Sequence, residues 1–228
     1  MKKTVVIHQP DFLPYLGFFH RLLYADIFII LDDVQFLRRA WHHRDEIKTK
    51  DGKQWLTLGI KKNTQDTKIN NIYLNYENWQ EKHLNLIKQN YLKSEFFEEI
   101  FPFISDLYSQ KHQKMVDFNL YAIKLLLNIF DINIKIYFSS EFNLKTKSNQ
   151  LLVDLLEKVN ATHYLSGIGA KNYHKDEPFK EANIKVVWQD FKHPVYPQLH
   201  GEFIPYLSSI DLLFNCGIKK SREILRST

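Results

Sequence analysis

His8, Gln9 and Asp11 fall within one tight segment, HQPDFLPYLGFFHRL. A helix begins close behind them, and its free N–H groups and positive dipole end could hold an anion such as a phosphate. The same residues can also serve only a tight connection, with His8 bonded to backbone. Further on, Asp32, Asp33 and Gln35 end an apolar run. Adjacent side chains on an extended chain point to opposite sides, so at most one carboxylate of the two faces a shared site, and both can equally be a solvated strand end. His8 and Asp32 on neighbouring strand ends would make a base and its orienting partner. Arg44, after Trp41, His42 and His43, offers a guanidinium fork for a phosphate or carboxylate. Ser166-Gly167, in YLSGIGAKNY, is a small-residue turn where backbone can approach a ligand closely, or simply a packing turn. Tyr196, Gln198 and Phe203 lie in a Pro-rich loop that can close over a sheet edge or lid the core.

Other chemistries find no support. There is no GxGxxG, no GxxxxGK[ST] and no GxSxG elbow. HxH and HExxH are absent, and Cys216 is the single cysteine, so neither a disulfide within the chain nor a cysteine-built zinc site is expected. No metal site is assigned.

The elements that must position these residues are legible from periodicity. Thr4 to Ile7 is a β-branched run, read as a buried strand. The prolines of HQPDFLP exclude helix and central strand there. Leu16, Phe19, Leu22 and Leu23 mark a helical stripe, and Ile27 to Asp33 a second buried strand. Strand, loop, helix and strand in this order seed a parallel sheet and bring His8 and Asp32 to one edge. Asp51-Gly52 predicts a hairpin over about 43–61. Three helical patterns fill 77–130, the middle one kinked or delayed by Pro102. Strands at 134–138, 163–165 and 185–188 alternate with a helix over 149–159. Ser208 caps a short helix that Gly217 stops, and KKSREIL forms the last. The fold class is α/β: an open, mainly parallel, Rossmann-like sheet flanked by helices, with a β-hairpin and a helical insertion at about 77–130. One domain is expected to span residues 1–228.

With 44% hydrophobic and 14% aromatic residues, the 228-residue chain can bury a large aromatic core. No window approaches a bilayer-spanning apolar run, and the start lacks a secretory apolar stretch, so a soluble cytoplasmic protein is expected. A net charge of +5 permits an anionic partner, but the lysines are dispersed along the chain.

Taken together, IHQPDFLPYLGFFHRLLYADIFIILDDVQF, then AWHHRDEI, QWLTLGIK, YLSG and the closing YPQ to LSSIDLLFNCG resemble the WbqC-like family over nearly the full length. The chain departs at His43, where that family often has Asn, and near Tyr15, where Trp and Tyr vary. The resemblance implies company with bacterial polysaccharide and O-antigen biosynthesis. It also implies a transferase placing an acyl or glycyl-type aminoacyl group on the amine of a nucleotide-linked deoxyamino sugar. In that reading His8, Asp32 and Asp11 carry the catalysis. Gln9, Tyr15, Gln35 and Arg44 bind substrate, together with Ser166, Gly167, Tyr173 and Gln198. No cofactor is assigned. The implied partners are the nucleotide-linked sugar and an activated donor, either an acyl carrier or an aminoacyl-tRNA. Two rivals stand beside it: an ATP-using, nucleotidyltransferase-like enzyme, and a non-catalytic nucleotide-sugar-binding member of a biosynthetic complex.

Overall fold

Side chains alternate along a strand, and the first two strands are apolar on both faces, which requires cover on both. The computed structural model describes residues 1–228 and provides that cover. Strand β1 (Thr4–His8) sits at the centre of a five-stranded parallel sheet with β2 (Ile27–Ile30), β5 (Lys135–Phe138), β6 (His163–Ser166) and β7 (Lys185–Trp188). The order is β5-β2-β1-β6-β7, with Val5 opposite Ile27 on one side and Tyr164 on the other. The chain first builds outward from β1 through β2 to β5, then returns to the far side of β1 with β6 and β7. The order therefore reverses between β1 and β6, and the crevice beyond their carboxyl ends is where open α/β sheets bind ligands.

Val5, Ile7, Ile27 and Ile29 face one layer, formed by α5 (Ser148–Lys158) and α6 (Asp176–Glu181). Val6, Phe28 and Ile30 face the larger core, which includes α1 (Leu16–Leu23) and the insertion helices α2 (Trp79–Tyr91), α3 (Phe97–Ser109) and α4 (Met115–Ile129). Pro102 lies inside α3 without ending it. The expected hairpin is β3 (Arg44–Thr49) with β4 (Gly52–Thr57). Its turn residues are Lys50 and Asp51, and Gly52 takes the positive φ of 105°.

Three details differ from the sequence expectation. Strand β2 ends at Ile30, so Asp32 and Asp33 lie beyond it rather than on it. The last helix, α7 (Ser209–Arg226), is broken at Gly217 (φ 68°, ψ 174°) and resumes directly, so the expected stop is a kink between two packed segments. Ser208 does not cap it: its hydroxyl donates to the Leu13 carbonyl at 2.6 Å, fastening the Pro-rich loop after β1 instead. No helix is long and apolar enough to cross a membrane.

Candidate active site

The HQP loop is held from three directions. Asn119 on α4 donates through Nδ2 to the carbonyls of Pro10 and His42, both at 2.8 Å. The Phe12 N–H donates to the Trp41 carbonyl, and the Ser209 N–H to the Pro14 carbonyl. Leu13, fully buried, adopts φ 42°, a conformation that a branched side chain holds only when its surroundings impose it.

This anchoring fixes His8. Its Nδ1 lies 3.0 Å from the Gln9 carbonyl, which can only accept, so Nδ1 carries the proton and Nε2 is a bare acceptor. Asp11 Oδ2 is 3.5 Å from the same nitrogen. Burial, then the nearby Arg21 cation, lower the His8 pKa to about 3, so the imidazole is neutral at pH 7. Burial also pushes Asp11 up to about 7, against the pull of Arg21.

His8 and Asp11 open on a cleft of about 380 Å³ at the switch point, with Ser166 and Gly167 on its far side and Arg21 in its wall. Tyr15, Trp41 and Tyr206 form an aromatic rim. Beyond Tyr164 and Ser166, which both clefts share, lies a second hollow of about 680 Å³ bounded by Leu31, Lys147, Tyr173 and Lys175. Of the residues singled out from the sequence, His8, Asp11, Tyr15, Ser166 and Gly167 meet in the first cleft, and Tyr173 borders the second.

The others are placed elsewhere, each for a visible reason. Asp32 is engaged within the fold: it accepts from the Ser140 N–H (3.0 Å) and hydroxyl (2.8 Å) and from Asn70 (3.1 Å), and it shares the Ser139 hydroxyl with Asp33. It staples the turn after β5, and its carboxylate does not line the cleft. Gln35 donates to the Gln65 carbonyl at the surface. Gln198 bonds the buried Asp211 carboxylate, which also accepts from the Tyr91 and Tyr196 hydroxyls, a network inside the fold. Arg44 stacks its guanidinium 3.8 Å over Trp55, which in turn packs on Trp41. It thus supports the cleft rim without entering it. Gln9 accepts from His42 Nδ1 through its side-chain oxygen; that direction follows because His42 Nε2 accepts from the Leu37 N–H. No three His, Cys, Asp or Glu side chains converge as a metal site.

The cleft also contains residues that the sequence reading passed over, chiefly Arg21, Trp41, Tyr164 and Tyr206. Arg21 did leave a signal. It stands in FFHRLL, a helix apolar on nearly all sides, where a cation is forced inward.

A model of the WbqC-like protein family matches residues 9–223. The chain belongs to the WbqC-like family. An uncharacterized protein of Mycobacterium tuberculosis is 31% identical to it over 220 residues, covering 95% of each chain. No solved structure matches it. The match begins at Gln9 and spans the loop, the cleft and the closing helix of this WbqC-like chain alike.

Proposed function

We propose that this WbqC-like protein forms an amide on the amine of a nucleotide-linked deoxyamino sugar, taking an acyl or aminoacyl group from an activated donor. The observation that carries the reading is His8: neutral, with its tautomer fixed and Nε2 bare, set beside a carboxyl poised near 7 in an aromatic-rimmed cleft. In the reaction the amine nitrogen bonds to the donor's carbonyl carbon and loses a proton to Nε2. The bond from that carbon to the leaving oxygen or sulfur then breaks, and the leaving group takes up the proton. His8 alone, with a pKa of about 3, is a weak base; Asp11, 3.5 Å from Nδ1, stabilises the imidazolium as it forms, so the pair works closer to neutrality. The first N–H groups of the turn Ile168–Tyr173 have no partner within that turn and face developing negative charge on the carbonyl oxygen. The sugar ring stacks on Tyr15, Trp41 and Tyr206, and the nucleotide occupies the larger hollow near Lys147 and Lys175.

Ligand-dependent thermal unfolding of wild type and His8→Ala tests this. Nucleotide-linked amino sugars should raise the wild-type melting temperature by several degrees, through binding to the native state, and the variant should still bind but not transfer. A shift with ATP alone would favour carboxylate adenylation. No shift with any nucleotide would remove the sugar-nucleotide reading.

A further inference from the structure

Arg21 is a charge that the fold leaves without a partner. Its residue is 5% exposed, on a helix whose other faces are packed in the core. Yet it makes no ion pair within 4.0 Å and no side-chain hydrogen bond, and Nε is sealed from solvent with no acceptor. Asp11, which shares the cleft, feels its charge but forms no ion pair with it, and that carboxylate lies against His8 instead. A guanidinium cannot escape burial by shedding its proton, so a sequence that buries one unpaired carries a cost the fold alone does not recover.

The surroundings say where the missing charge belongs. A Cβ placed on Gly167 would come within 2.4 Å of Arg21 Nη1, so the guanidinium lies directly against the turn at the end of β6. This puts the fork at the sheet's carboxyl edge, in the wall of the 380 Å³ cleft. Two parallel N–H groups match two oxygens on one atom, and aromatic walls that exclude water strengthen the pairing.

We propose that Arg21 anchors a carboxylate or phosphate group of a ligand entering this cleft, held between α1 and the Ser166-Gly167 turn. The site stands on the unpaired guanidinium and the cavity alone and does not depend on amide transfer being the reaction. Surface lysines attract anions too, but as exposed point charges that salt screens.

The test uses the full chain at ionic strength matched with sodium chloride, titrated with inorganic phosphate and, separately, with acetate. Thermal unfolding and calorimetry are read on wild type, Arg21→Met and Arg21→Lys. Phosphate, acetate or both should stabilise the wild type, and the one that does identifies the class of anion. Arg21→Met, which keeps the apolar stem and removes the lone charge, should lose the response while melting at or above wild type without ligand. Arg21→Lys, which keeps the charge but not the fork, should weaken binding at least tenfold. An equal response in all three proteins would place the anion elsewhere and overturn the assignment, as would a wild type that responds to neither probe.

Discussion

The pair His8 and Asp11 makes opposite demands on pH. Asp11, raised from 3.8 to about 7, contributes stability that is fully present below about pH 4 and is lost as pH rises through 7. His8, lowered from 6.5 to about 3, contributes stability present above 6.5 and lost as pH falls toward 3. In the wild type the two offset each other, so the difference between proteins isolates the carboxyl. Asp11→Asn should gain on wild type by roughly 2–4 kcal/mol between pH 4.5 and pH 8 in urea unfolding. A difference that stays flat with pH would mean that Asp11 ionises normally and is no proton carrier. The groups facing it are His8 on β1, Arg21 on α1, Tyr15 and Asp45 on β3, and Asn at position 11 leaves their charges in place. At this scale the sequence showed which residues were unusual but not what they touch. Asp32 was as conspicuous as Asp11, and only the fold reveals that Ser140 and Asn70 occupy its carboxylate.

The helices of residues 79–129 look from the sequence like an insertion beside a sheet, and their periodicity makes them legible. What periodicity does not convey is that one polar side chain on α4 reaches into the loop that carries the chemistry. Asn119 is fully buried, and its amide satisfies two carbonyls, of Pro10 and His42, that have no strand or helix to receive them. Asn119→Ala should therefore leave both acceptors bare at a cost of about 1–3 kcal/mol in urea unfolding. It should also blunt any ligand response of the cleft more than that loss accounts for, because Leu13 loses part of what holds its φ of 42°. A stability loss with an unchanged ligand response would reduce Asn119 to a packing residue. Similarly, Ser208 reads as a helix cap because its type and position fit one. Its hydroxyl donates instead to the Leu13 carbonyl, while the Asp211 N–H finds the Ser208 backbone carbonyl, and local pattern cannot report such a long-range partner.

The net charge of +5 is uninformative as a sum and useful only once the sheet order is known. With β1 between β2 and β6, the carboxyl edge collects two hollows that meet at Tyr164 and Ser166: the small one holds the buried Arg21, the larger one is bordered by exposed lysines 147 and 175. These are different kinds of charge. Arg21 is enclosed in the wall of a cleft, where screening is weaker, whereas Lys147 and Lys175 stand in solvent, where each acts weakly and is screened. If the nucleotide of a linked sugar occupies the larger hollow, the double substitution Lys147→Gln, Lys175→Gln should weaken its binding about tenfold at low salt and progressively less as salt rises. The same double variant should keep the full response of the Arg21 site to inorganic phosphate or acetate, since neither lysine borders that cleft. Titration calorimetry at two salt concentrations separates these effects. Loss of both responses together would make the edge one continuous electrostatic surface, and retention of nucleotide affinity would confine the ligand to the smaller cleft.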